Sequence, residues 1–162
     1  MSALEVTGQA SAIRTPRSGA VVVVYERTAA GHSALLHAQS LAADARAPLT
    51  VVAVASRERT DMGCGSCRQG AMFRNELACA CASEALREAR DVIASARPAV
   101  DVRFALVRGP FRRAVAAAID EHGAGSVVLP AVGPLRRRLA RDRARLLERR
   151  TAATVIVAPG RV

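Results

Sequence analysis

Four cysteines are the residues of this chain best equipped for chemistry, and all of them fall within 18 positions: Cys64-Gly-Ser-Cys67, then Cys79-Ala-Cys81. The Cys64-x-x-Cys67 spacing lets two thiolates reach one metal ion from a single tight turn. Gly63 and Gly65 permit the special dihedrals of such a knuckle. With Cys79 or Cys81 the donor count reaches three or four, enough for a tetrahedral zinc site or an iron–sulfur cluster. The same pair also suits dithiol redox chemistry, with Cys79 as an exchange partner, because Cys-x-x-Cys thiols often have lowered pKa values. The third reading is a cluster of bystander thiols, in which Cys79 or Cys81 is merely a small buried hydrophobe. In one continuous helix, residues two apart point about 200° apart, so Cys79 and Cys81 cannot both face one ion.

Charge makes the second candidate site. Between Arg136 and Arg150 stand eight arginines against Asp142 and Glu148, which is +6 of the chain's net +10. Leu135, Leu139, Leu146 and Leu147 give that segment an apolar stripe, so a helix would dock through it and turn its arginines outward. Such a face is either solvated or a dock for a phosphate ligand, a nucleic acid or an acidic protein. Aromatics number only Tyr25, Phe73, Phe104 and Phe111, which speaks against stacking on single-stranded nucleic acid. His32, His37 and His122 stand beside no nucleophile pattern, and no Ser/His/Asp or paired-carboxylate arrangement is readable.

The elements that must position these groups follow from hydrophobic runs. Ala20–Val24, AVVVV, is a continuous β-branched run, the mark of a strand buried on both faces. Leu49–Ala55, Val100–Val107, Ser126–Pro130 and Ala153–Ala158 read as four more strands. Between them lie helices: one beginning near Ser33 as its cap, one from Phe73 to Arg97 stopped by Pro98, one from Phe111 to His122, and the basic one over 134–150. Pro110 suits the first turn of the third helix, and Gly123 its left-handed C-cap. Alternation of this kind predicts an α/β fold, an open five-stranded parallel sheet with helices on both faces. Residues 1–18 read as a loose arm, residues 19–162 as one domain, and about 56–75 as a cysteine-bearing polar insertion.

Length and composition agree. At 162 residues, 51% hydrophobic and 23% charged, the chain suits a single globular core and not a solvating, disordered one. Its apolar content is mostly Ala and Val, so that core must come from close backbone packing. No apolar run approaches the roughly 20 residues that span a bilayer. The first 18 residues lack an apolar signal core, so the protein is expected to stay in the cytoplasm. Every basic residue is Arg, as a GC-rich coding sequence would produce, so the charge alone is a weak sign of nucleic acid.

From about Ala20 to Pro159 the element order resembles the universal stress protein family. Arg108-Gly109-Pro110 followed by Ala114-Val115-Ala116 is similar to the family's Gly-x-Pro start of its third helix. Ala124-Gly125-Ser126-Val127-Val128-Leu129 resembles its fourth strand, and Ala153-Thr154-Val155-Ile156-Val157 its last. The resemblance implies a homodimer, and in many relatives an adenine nucleotide such as ATP. Ligands of this architecture bind outside the carboxyl ends of the strands, where the strand order reverses. Tyr25, Ala55, Gly109, Gly133 and Arg136 would lie near that crevice, and with Glu26, Arg141 and Asp142 they are the candidate binding residues.

The nucleotide motif departs from the family's. ATP-binding relatives carry Asp at the end of the first strand, where Tyr25 and Glu26 follow Val24 here. Their Gly-x-x-Gly loop becomes Leu129-Pro130-Ala131-Val132-Gly133-Pro134, and Arg141-Asp142 takes the place of a Gly-Ser pair. A phosphate cradle needs free backbone N–H groups and no Cβ in the way. ATP is therefore expected to bind weakly or not at all. The expected protein is a stress-sensing or adaptor protein with a cysteine-based metal or redox site; the alternative is an adenine-nucleotide-binding regulator.

Overall fold

The computed structural model describes residues 19–57, 64–96, 100–130 and 142–158. The predicted arm at 1–18, and Gly133, Arg136 and Arg141, lie outside them. Five strands, β1 (Ala20–Val24), β2 (Leu49–Ala55), β3 (Val102–Arg108), β4 (Ala124–Pro130) and β5 (Thr154–Ala158), form one sheet in the order β3-β2-β1-β4-β5. Each neighbouring pair is parallel. The expected architecture holds. The order reverses between β1 and β4, so the position expected for a ligand lies beyond Val24 and Pro130.

Period-two alternation sends β1 to both faces. Val21 and Val23 join a core with helix α1 (Ala29–Ala45) and helix α2 (Gly65–Ala96). Val22 and Val24 join the opposite core, with α3 (Phe111–Glu121) and helical residues 142–148. All five β1 residues are buried, which is why the segment contains nothing polar. In the basic segment, Leu147 of the predicted stripe is buried and Leu146 half-buried, with Ala144 buried beside them, while Arg143, Arg145, Arg149 and Arg150 are exposed; Leu135 and Leu139 lie outside the described residues. Among the described residues, no helix is long and apolar enough to cross a membrane.

Boundaries move where local hydrogen bonds overrule apolar spacing. Thr28, and not Ser33, caps α1: its extended backbone frees Oγ1 to accept the Gly31 N–H at 3.0 Å. Gly123, at φ +59°, ends α3 as expected. The largest shift is at α2, which starts at Gly65, eight residues before Phe73. The cysteine-bearing stretch from Gly65 onward is thus helix, not a looped insertion. Phe73 and Leu77, which helical spacing assigns to the buried stripe, are 66% and 52% exposed.

The reason is length. At 1.5 Å per residue, the 32 residues of α2 run about 48 Å, against about 23 Å for seven-residue β2. Between Gly65 and Ala82 only Ala71 is buried. Met72, Asn75, Glu76 and Cys79 stand level with the carboxyl ends of β2 and β3, so the turns before them overhang the sheet.

Candidate functional site

The carboxyl edge of the sheet gathers three groups of polar side chains. At the end of β1, Tyr25 is 2% exposed and its N–H bonds to Val52 O at 2.8 Å. Its hydroxyl donates to Glu88 Oε1 at 3.0 Å, and Arg27 Nε donates to Glu88 Oε2 at 2.7 Å. His32 Nε2 lies 2.9 Å from Glu88 Oε1 without hydrogen-bond alignment, and its ring tilts against that of Tyr25 at 5.6 Å. Burial, and then donation to Glu88, push the Tyr25 hydroxyl above the ordinary tyrosine range. The bond from Arg27, followed by that from Tyr25, holds the Glu88 carboxyl below the usual carboxylate range. Tyr25 is therefore a neutral donor committed to α2.

Gly31 makes this arrangement possible. A Cβ there would collide with the Glu26 carbonyl oxygen, with the carbonyl carbon 2.9 Å away. The β1–α1 loop thus lies directly on the first turn of α1, which holds Arg27 beside Glu88. Glu26 itself is half-buried, and its carbonyl accepts the Thr28 N–H at 2.8 Å.

The second group lies at the ends of β2 and β3. Ala55 O accepts the Gly109 N–H at 3.0 Å, which brings together two of the predicted crevice residues. Ala55, Arg57 and Arg108 line a cavity of about 530 Å³ with Met72, Glu76 and Cys79 of α2. Of the remaining predicted binding residues, Asp142 is exposed at the start of helical 142–148, and Gly133, Arg136 and Arg141 fall outside the described residues.

The third group is the cysteine pair. Cys64 immediately precedes α2, and its carbonyl accepts the Arg68 N–H at 3.0 Å. Its Sγ is 3.2 Å from Ser66 Oγ and hydrogen-bonded to Cys67 Sγ at 3.2 Å. The Ser66 hydroxyl, and then the Cys67 backbone N–H and thiol, pull the Cys64 pKa down to about 6. Both cysteines are free and exposed. Cys79 is half-buried and Cys81 exposed, about 18 and 21 Å farther along the helix at its 1.5 Å rise. The structure therefore joins one pair and separates the other two. Among the described residues no three or more His, Cys, Asp or Glu side chains are grouped to hold a metal ion. Gly65 is the first residue of α2, and Gly63 lies outside the described residues.

Sequence reasoning missed the Tyr25–Arg27–His32–Glu88 cluster. Glu88 sits mid-helix among other charges, 63 residues from Tyr25, and no local pattern marks it.

No family model and no curated protein matches the sequence. Solved structures do. UspA from Lactobacillus plantarum superposes with a TM-score of 0.69 at 15% identity, covering 86% of this chain and 97% of that one. A universal stress protein in complex with cAMP gives 0.58 at 22%, over 88% and 99%. A universal stress protein family protein from Arabidopsis thaliana with AMP bound gives 0.55 at 8%, over 85% and 90%. With its five parallel strands, its order reversal at β1/β4 and these neighbours, the chain has the universal stress protein fold.

Proposed function

We propose that this is a cytoplasmic stress-response protein of the universal stress type that reads the redox state of its surroundings through the Cys64–Cys67 dithiol. The observation carrying this reading is the 3.2 Å approach of two exposed sulfurs, and the Ser66 hydroxyl beside them draws the Cys64 pKa down to about 6. At pH 7 a thiol of that pKa is about 90% thiolate, the nucleophilic form, against about 3% for an ordinary cysteine. The sheet supplies a rigid base, and the overhanging start of α2 presents the pair to solvent. A test is the pH dependence of alkylation by iodoacetamide, followed by peptide mass. Cys64 should be modified first, with its rate rising through about pH 6 and level above pH 7. A midpoint in the ordinary thiol range, with Cys64 no faster than Cys81, would remove the reading.

A second reading is favoured by the neighbours that hold cAMP and AMP: a regulator that binds an adenine nucleotide at the strand ends. Against it stands Tyr25, buried and committed to Glu88 where ATP-binding relatives carry Asp. The exposed face of Arg143, Arg145, Arg149 and Arg150 is a dock for an acidic protein or a phosphate ligand.

A further inference from the structure

The dithiol is built so that one sulfur can be attacked and the other can close on it. Cys64 and Cys67 are three apart across the first turn of α2, where Cβ atoms lie about 5–6 Å apart, so a disulfide needs only a small adjustment. Their flanks, Ser66, Arg68 and Gln69, are all exposed, and no described apolar wall encloses the sulfurs. That setting admits a small oxidant, and among the described residues no groove for a folded protein disulfide adjoins the sulfurs. An accessible thiolate beside a second thiol is the arrangement in which sulfenic acid forms and is resolved.

We propose that Cys64 reacts with a small hydroperoxide and that Cys67 resolves the product into a Cys64–Cys67 disulfide; this rests on the redox reading above and names its oxidant. In the first step the Cys64 thiolate attacks one peroxide oxygen. The O–O bond breaks, Cys64 becomes a sulfenic acid, and the departing hydroxide takes a proton from solvent to leave as water. In the second step Cys67 loses its proton and attacks the Cys64 sulfur. The S–S bond forms, the S–O bond breaks, and the hydroxyl departs with that proton as a second water. Two thiols are oxidised by two electrons, and one hydrogen peroxide is reduced to two waters.

The product differs from the reactant in what the helix end receives. In the reduced protein the Cys64 sulfur is 3.2 Å from the Ser66 hydroxyl and 3.2 Å from the Cys67 thiol. A disulfide sulfur is a far weaker acceptor, so these first-turn residues lose those contacts. The turns they begin are held by little else, since only Ala71 is buried before Ala82. Oxidation therefore loosens the start of α2 while the sheet stays intact.

The experiment uses the full chain with Cys79 and Cys81 replaced by Ser, reduced and then mixed with one equivalent of hydrogen peroxide at pH 7. The expected product has lost the mass of two hydrogens, consumes one peroxide per chain, and shows faster amide exchange over residues 65–70. Cys67→Ser should accumulate a Cys64 sulfenic acid that dimedone traps, and Cys64→Ser should react at least about tenfold more slowly. Circular dichroism matching the parent checks that each variant folds. If Cys64→Ser consumes peroxide as fast as the parent, the proposal is overturned. A parallel sample receives oxidised glutathione. A disulfide formed there, with no reaction toward peroxide, overturns this proposal and leaves the redox reading standing. Inertness toward both overturns both, as does zinc held at one ion per two chains through the reduced pairs.

Discussion

Two Gly→Ala substitutions in helices should have opposite signs. Alanine inside a helix is normally favoured over glycine by about 1 kcal/mol. At Gly70, in α2, a new Cβ meets only the far end of the Arg74 side chain, at 3.2 Å, which can swing aside. Gly70→Ala should therefore stabilise by about 0.5–1 kcal/mol. At Gly31 the same atom strikes the Glu26 carbonyl, and a backbone carbonyl cannot swing aside. The β1–α1 loop must withdraw by on the order of 1 Å, an overpacking cost of about 1–3 kcal/mol. The Thr28 cap, which bonds Gly31 N, is disturbed with it, at about 1 kcal/mol more. Subtracting the propensity gain leaves Gly31→Ala destabilised by about 1–3 kcal/mol. For a domain of this size that lowers Tm by about 2–12 °C, while Gly70→Ala raises it by about 1–4 °C. Differential scanning calorimetry of both variants reads the contrast. Gly31→Ala melting at or above the parent would refute the close approach and, with it, the placement of Arg27 against Glu88.

Tyr25→Phe removes the hydroxyl that reaches Glu88 and should cost about 0.5–1.5 kcal/mol in urea unfolding; no change would mean the bond contributes nothing. Leu147 is fully buried, so Leu147→Ala should cost about 2–5 kcal/mol, and a loss under about 1 kcal/mol would mean the basic helix does not dock. Titration calorimetry with ATP should give weak binding or none, because Tyr25 is buried at the end of β1 with its hydroxyl committed to Glu88; a micromolar or tighter site would overturn this. We expect β5, an apolar edge of five residues, to pair with its copy across a two-fold axis. Sedimentation at tens of micromolar should then give a dimer, and a clean monomer would remove the expectation.

What the sequence by itself determined was the layer order. AVVVV, LTVVAVA, SVVLP and TVIVA are legible as strands because a strand covered on both faces reads as a near-continuous apolar run, with Thr50 and Ser126 buried among the rest. The third helix is legible because Pro110 and Gly123 carry their backbone preferences wherever the chain goes. Helix starts were less legible. Thr28 caps α1 through one local hydrogen bond, and Gly65 opens α2 in a stretch with almost no buried face, so apolar spacing marked neither. The chemistry was half legible: four clustered cysteines were plain, but which of them meet was not. A continuous helix decides that, since its rise carries Cys79 and Cys81 away from the pair at its start. The Tyr25–Arg27–Glu88 contacts were not legible at all. They join residues more than 60 apart, and only the sheet order that lays α2 across the end of β1 brings them within 3 Å.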